Sequence, residues 1–155
     1  METRSNFKSS LEEIIGLKLL KLTAGDGSGS IINFEFGQAL KEVSHANHVF
    51  EQGDYSIMIY CSWRIAKESS IITTWKDSNH KSGPMLQGLD ALKGLKVTSI
   101  NLNDLNDLKI TFEDTFSLNV FCDLGKNYDF DTNWFFRKDE THFVIDNYFQ
   151  VVEEK

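Results

Sequence analysis

Gly16-Leu17-Lys18-Leu19 returns 78 residues later as Gly94-Leu95-Lys96-Val97. At the same offset Leu22 falls on Ile100, Asp26 on Asp104, and Ile32-Asn33-Phe34-Glu35 on Ile110-Thr111-Phe112-Glu113. No gap is needed from Leu11/Leu89 to Glu35/Glu113. Further on the offset becomes 61, so that Ser56-Ile57-Met58-Ile59-Tyr60-Cys61 falls on Ser117-Leu118-Asn119-Val120-Phe121-Cys122, and Trp75 on Phe136. The change leaves 17 extra residues in the first copy, near Gln38 to Asp54. A repeat decides the architecture before any single element does. The chain therefore reads as a single domain over 1–155 with internal repeats at about 9–77 and 87–155.

Each copy opens with a short helix. Ser9 or Ser10 suits the first cap, Glu12 and Glu13 its positive end, and Gly16 its stop. In the second copy Pro84 stands where a first-turn proline belongs, Leu86, Leu89 and Leu92 fall on one side, and Gly94 ends the helix. Strands follow at Leu17 to Thr23 and Lys96 to Asn101. The Gly25-Asp26-Gly27-Ser28-Gly29 loop turns the chain in one copy and Asn103 to Asn106 in the other. Ile32, Phe34 and Phe36 alternate with polar residues, as do Leu108, Ile110 and Phe112, which places one face of each strand in a core. A third strand reads from Tyr55 to Ile65, matched by Phe116 to Asp123. A fourth reads from Ser70 to Trp75, matched by Asn133 to Arg137, and His142 to Val152 adds a last one. The expected fold is α+β and mostly antiparallel β. A duplicated αββββ unit forms two curved sheets, as a sandwich or a partly closed barrel, with pseudo-two-fold symmetry.

With 155 residues, 41% of them hydrophobic, the chain has enough apolar material for a sizeable core. The net charge is −7, from 16 basic and 23 acidic residues. That balance speaks against nucleic-acid binding, which needs a basic face, and fits a basic partner. No apolar run approaches a membrane span and the first ten residues carry no signal core, so a cytoplasmic location without membrane association is expected. Two cysteines, Cys61 and Cys122, are too few for a disulfide framework. They read as reduced core residues on apolar strand faces, with a reactive pair as the alternative.

Signals for catalysis are weak. His45-Ala-Asn-His48 has a spacing that joins two imidazoles on a helix, but it lacks the His-Glu-x-x-His pattern and a third ligand, so no metal is expected. Glu35 and Glu113 recur at matched positions opposite Phe34 and Phe112, and so read as solvated rather than as a catalytic pair. The glycine loop at 25–29 lacks the Gly-Lys-Ser/Thr ending of a phosphate loop, and no cofactor is expected. Tyr60, Ser62 and Arg64 share one face of the long third strand. An Arg among aromatics suits recognition of an anion or a protein, while Trp63 and Trp75 read as core anchors. Between Asn101 and Asp131 seven acids face two lysines. Asp and Asn are common turn formers, yet a surplus of this size steers a basic partner. The expected partner-binding residues are Asp104, Asp107, Asp114 and Asp129, with Tyr60 and Arg64.

The stretch from Gly94-Leu95-Lys96-Val97 through Asp107-Leu108-Lys109-Ile110-Thr111-Phe112-Glu113-Asp114 to Val120-Phe121-Cys122-Asp123 resembles a group of small uncharacterised bacterial proteins, as does Tyr60-Cys61-Ser62-Trp63-Arg64-Ile65 in the first half. Such stand-alone domains include immunity proteins that neutralise toxins delivered between bacteria, and this role is what the resemblance implies. In element content alone the chain also resembles the Whirly-type single-strand binders, whose activity its charge opposes. The resulting expectation is a non-enzymatic protein-binding module with a basic partner, a cognate toxin. The alternative is a small-molecule binder or enzyme using a cavity between the sheets, lined by Trp63, Trp75 and Trp134.

Overall fold

Strict alternation of apolar and polar residues makes strands, and among the residues that the computed structural model describes there are thirteen of them with two α-helices. It describes residues 2–25, 27–127, 129 and 131–155; Asp26, matched above with Asp104, lies outside them. The chain runs α1 (Glu2–Glu12), β1 (Lys18–Thr23), β2 (Ile32–Gly37), β3 (Lys41–His45), β4 (His48–Gln52), β5 (Tyr55–Ile59), β6 (Ser62–Lys67) and β7 (Ser70–Thr74). It continues through α2 (Pro84–Asp90), β8 (Val97–Leu102), β9 (Leu108–Phe112), β10 (Phe116–Phe121), β11 (Thr132–Lys138), β12 (Thr141–Asp146) and β13 (Val151–Glu154). The fold is α+β and mostly antiparallel β. One sheet has the order β1-β2-β5-β11-β12-β13 and the other β7-β6-β10-β9-β8, while β3 and β4 form a separate hairpin. None of the three closes, so the partly closed barrel is corrected to open sheets.

The two larger sheets share one core. Phe34, Ile57, Ile59, Trp134 and Phe136 come from the first, and Trp63, Ile65, Ile110, Phe112, Leu118 and Val120 from the second, all buried in one cluster. Rings bridge the layers, as where Phe36 and Phe112 stack with centroids 6.5 Å apart. Each such buried side chain contributes about 2 kcal/mol.

The helices seal the core where the sheets part. Phe7, Leu11 and Ile14 are fully buried along one side of the first helical segment, as are Leu89 and Leu92 with Met85 along the second. Phe7 meets Trp134 and Phe143 at 5.5 Å each. α1 touches β8 at the edge of one sheet and β13 at the edge of the other, while α2 lies against β7. α1 begins at Glu2, so Ser9, Ser10 and Glu12 stand in its later turns rather than at its start; burial of Phe7 extends the helix upstream of the expected cap. Gly16 and Gly94, with φ of 90° and 81°, release the chain into the strands.

Where the strands leave the helices the backbone bonds come in matching pairs. Gly16 N–H donates to Val97 O and Gly94 N–H to Leu19 O, both at 2.8 Å, and Lys18 bridges Lys96. The long third strand is corrected. Its chain leaves the first sheet after Ile59 and enters the second at Ser62, so Tyr55 to Ile65 is two strands in two sheets. The residues from His142 to Val152 likewise divide, with a turn between β12 and β13. Trp63 stands across from Val120 in the second sheet and Trp134 across from Ile59 in the first.

Gly88 lets α2 lie on β7: a Cβ there would come within 2.6 Å of Thr73 Cγ2 and 3.1 Å of Ile72 Cγ2. Gly125 has nothing within 4 Å of the same position. Gly88→Ala should therefore destabilise by about 1–3 kcal/mol through overpacking, while Gly125→Ala stays near neutral. Urea unfolding of both variants measures the contrast; equal midpoints would rule out the tight α2–β7 contact.

Candidate functional site

Antiparallel order decides which loops gather. The β8–β9 turn (103–107), the described residues between β10 and β11 (122–127, 129 and 131) and the β12–β13 turn (147–150) lie at one end of the sheets, as the pairs Leu102↔Leu108, Val120↔Leu108 and Thr132↔Asp146 require. This end carries Asp104, Asp107, Asp123, Asp129, Asp131 and Asp146, with Lys126 in the same loop. The same turns carry two exposed large side chains, Leu105 at 63% and Tyr148 at 64% exposure. Tyr60 closes β5 at the same end, and burial, then the nearby charge of Asp131, raise the pKa of its phenol.

Asn106 holds the end together. It is buried, with φ of 65°. Its carbonyl accepts from Trp134 Nε1 at 3.0 Å and from Cys122 Sγ at 3.3 Å. Its side-chain Nδ2 donates to Phe149 O at 2.8 Å, and its Oδ1 accepts from Arg4 Nε at 3.2 Å. Arg4 also donates to Asn103 O at 2.8 Å. Three turns and the first helix are thereby locked to one residue. Beside it an open hollow of about 620 Å³ is lined by Arg4, Lys8, Asp104, Asn106, Phe149 and Gln150.

The structure brings together Asp104, Asp107, Asp129 and Tyr60, and sets the other expected residues apart. Asp114 lies in the β9–β10 turn at the opposite end, with φ of 57°. Strand β9 separates it from Asp107 by roughly 16 Å. Asp107 is half-buried and accepts from Cys122 N–H at 2.7 Å, so it shapes the turn. Arg64 is exposed on the outer face of the second sheet, 5.0 Å over the ring of Phe121. Because the chain changes sheet between them, Tyr60 and Arg64 belong to different sheets, and the shared face expected for them is corrected.

A second site is built by the hairpin β3–β4, which falls in the stretch Gln38 to Asp54 that the sequence reading set apart as extra. Ala46 and Asn47, both at positive φ, make its two-residue turn. His45 and His48 are therefore cross-strand neighbours rather than members of a helix. The hairpin roofs the outer face of the first sheet, leaving a groove of about 350 Å³ lined by Lys21, Asn33, Glu35, Phe50, Met58, Phe135, Arg137 and His142. Its floor is polar. Glu35 is only 5% exposed, which corrects the solvated reading. It accepts from Ser56 Oγ at 2.6 Å, Gly53 N–H at 2.9 Å and Asn33 Nδ2 at 2.6 Å, and pairs with Arg137 at 3.5 Å. Arg137 donates to Ser56 Oγ at 2.7 Å and Gly53 O at 2.8 Å. Burial pulls its pKa down and the Glu35 charge offsets this. Glu113 is exposed and accepts from Lys96 N–H at 2.7 Å, so the two glutamates do different work.

The other expected groups are also placed. Trp63 and Trp134 are fully buried, and Trp63 Nε1 donates to Ser30 O at 2.8 Å. Trp75 is 38% exposed. Cys61 is buried; a hydrogen bond with Cys122, then burial, push its thiol above the usual range. Cys122 is only half-buried, which corrects the expectation for that residue. Among the described residues no group of three or more His, Cys, Asp and Glu side chains is arranged to hold a metal ion, and no helix is long and apolar enough to cross a membrane. Sequence reasoning missed the groove and the apolar pair Leu105 and Tyr148. The extra residues at Gln38 to Asp54 were the one signal of a feature lacking from the second half.

No protein-family model, curated protein or solved structure matches this chain. The geometry therefore carries the functional argument.

Removing Glu35 strands a buried guanidinium. Glu35→Ala should destabilise by about 3–5 kcal/mol. Adding Arg137→Met should recover part of that loss, because the uncompensated charge is gone. A double-mutant cycle in chemical denaturation measures this; additive losses would mean that the pair is not coupled.

Proposed function

We propose that this chain is a non-enzymatic protein-binding module whose acidic end docks on a basic protein, with a toxin neutralised by its immunity protein as the pairing that the sequence resemblance implies. The observation that carries this reading is that Asp104, Asp129 and Asp131 lie in turns at the same end of the sheets as the exposed Leu105 and Tyr148. An aromatic and an aliphatic anchor inside a charged rim is the usual anatomy of an energetic interface. The anchors sit on turns fixed by Asn106, so little ordering cost falls on binding. Blocking a basic, nuclease-like site requires complementary charge more than chemistry, and such pairs associate fast at low salt.

We also infer that the two halves are copies related by a pseudo-two-fold axis. The support is that sheet order reads β1-β2-β5 then β11-β12 in one layer and β8-β9-β10 then β6-β7 in the other. Paired contacts add to it: Trp63 Nε1 bonds Ser30 O as Trp134 Nε1 bonds Asn106 O. On this reading the β3–β4 hairpin and β13 are additions to one layer only.

A second reading is favoured by the roofed groove. Its buried Glu35–Arg137 floor and its Phe50, Met58 and Phe135 walls combine the polar and apolar surfaces of a small-molecule site. A broad metabolite panel tests it by thermal shift. A ligand of this groove should raise the melting temperature of the native chain and lose that effect in Phe50→Ala; a panel without hits ends this reading.

The leading reading separates rim from anchor. Asp104→Asn, Asp129→Asn and Asp131→Asn together should slow association with the basic partner at low salt and matter less as salt rises. Tyr148→Ala should instead speed dissociation, by about 2 kcal/mol if it is an anchor. Asp114→Asn, at the other end, should change neither rate. The partner is sought first in the product of the neighbouring gene, by surface plasmon resonance. Equal weakening by Asp114→Asn would overturn the assignment of the acidic end.

A further inference from the structure

Strands β6 and β10 pair antiparallel without a bulge, from Phe116↔Lys67 to Val120↔Trp63 and Phe121↔Ser62. One step further in the same register sets Cys122 opposite Cys61. Two bonds hold the chains together past the last pair. Ser62 N–H donates to Asp123 Oδ1 at 3.2 Å, and the Ser62 hydroxyl meets the other oxygen of that carboxylate. Trp63 and Val120 are buried, and a period of two from each of them turns both cysteines inward. Cys61 lies in the shared core and Cys122 packs against it. The backbone then identifies the kind of pair. Cys61 N–H turns away from β10 to Asn133 O of β11 at 3.1 Å, and Cys122 N–H turns away from β6 to Asp107 Oδ1 at 2.7 Å. That is the pattern of a non-hydrogen-bonded antiparallel pair, whose Cα atoms stand about 4.5 Å apart. Disulfides span Cα separations of about 4.4–6.8 Å.

We propose that Cys61 and Cys122 are a dithiol that low-molecular-weight disulfides close to an intramolecular disulfide, a reversible staple between the layer crossing and the acidic end. Access sets the order of the steps. Cys122 is half-buried, whereas Cys61 is 2% exposed. A hydrogen bond with Cys122, then burial, also hold the Cys61 thiol protonated above the usual range, so the first attack falls to Cys122. The Cys122 thiolate attacks one sulfur of the incoming disulfide, forms a mixed disulfide and expels the other half as a thiolate. Cys61 then gives up its proton, its sulfur attacks that of Cys122, and the second half leaves as a thiolate. The two protein thiols lose two electrons, and one small disulfide is reduced to two thiols. Closure orphans no buried acceptor. Cys122 Sγ gives up its bond to Asn106 O, but that carbonyl keeps Trp134 Nε1. The turn that carries Asp104 and Leu105 therefore stays fixed while the staple forms beside it. The closed loop runs from residue 61 to residue 122, long enough to restrict the unfolded chain strongly.

Equilibration of the native full chain with oxidised and reduced glutathione, followed by alkylation and mass spectrometry, tests the proposal. In excess oxidised glutathione the chain should lose the mass of two hydrogens and keep no thiol open to alkylation. Proteolysis should release a peptide pair joined through Cys61 and Cys122, and dithiothreitol should reverse the change. The disulfide should be favoured at least about a hundredfold more in the native chain than in concentrated urea, which separates native juxtaposition from chance closure. By the same linkage the oxidised chain should melt roughly 10 °C above the reduced one. Cys61→Ala should stop at one glutathione adduct on Cys122, and Cys122→Ala should take up none. The comparison of the unaltered chain with and without urea keeps the test decisive if either variant folds poorly. Two thiols that stay free overturn the proposal, as do a mixed disulfide that never resolves, a disulfide between copies, or an equal preference in urea.

Discussion

The bond from Trp134 Nε1 to the carbonyl of Asn106 is the contact on which most of this structure turns. An indole N–H cannot enter an apolar core without an acceptor, because an unpaired buried donor costs about 1–3 kcal/mol. Trp134 is fully buried between the sheets, so an acceptor has to be brought inward. The β8–β9 turn brings it, at the expense of a left-handed conformation at Asn106, a residue type that accepts this more readily than most. Once the backbone is fixed there, the Asn106 side chain points back to Phe149 and Arg4. A requirement of the core thus sets the positions of the surface turns that carry Asp104, Leu105 and Tyr148. Trp63 makes the same demand on Ser30 at the other loop, so both layers are tied to their turns by one kind of bond.

The strands were legible because their signal is local. Ile32, Phe34 and Phe36, and Leu108, Ile110 and Phe112, alternate with polar residues, and all six are buried. The two helices were legible as elements, through Leu11, Leu89 and Leu92 with the glycines that follow them. The first was placed too late because Ser9 and Ser10 resemble a cap, and nothing local says that Phe7 will be packed against Trp134. The crossing at Tyr60 and Cys61 was hidden for a more specific reason. Ile57, Ile59, Cys61, Trp63 and Ile65 keep a period of two straight through it, because both sheets face the same core. A chain that changes layer without changing its inward face leaves no break in the pattern. Only pairing, which is non-local, separates β5 from β6.

The candidate sites were legible in proportion to how much of them is sequence-local. The acids of 101–131 were visible as a cluster, yet sequence proximity joined Asp114 to Asp107 although a strand holds them apart. Leu105 and Tyr148 went unremarked because single exposed apolar residues are ordinary. Glu35 shows the opposite case. Alternation placed it outside the sheet, and it does lie there. Its burial comes from the hairpin folding over that face, with Gly53 and Ser56 supplying bonds from just after the hairpin. A roof built from another part of the chain converts a solvated carboxylate into half of a buried pair, and no periodicity predicts a roof.

The surfaces of the chain follow from the same constraints. Strand β6 enters the second sheet at Ser62, whose hydroxyl meets Asp123 of the acidic end, and Trp75 N–H bonds Trp63 O beside it. The crossing between layers thus brings the start of β6 to the end where the acidic turns lie. The groove under β3–β4 lies on the outer face of the other sheet. Two surfaces with distinct chemistry, one acidic with exposed apolar side chains and one a roofed polar groove, therefore follow from where the chain crosses layers and where it adds a hairpin.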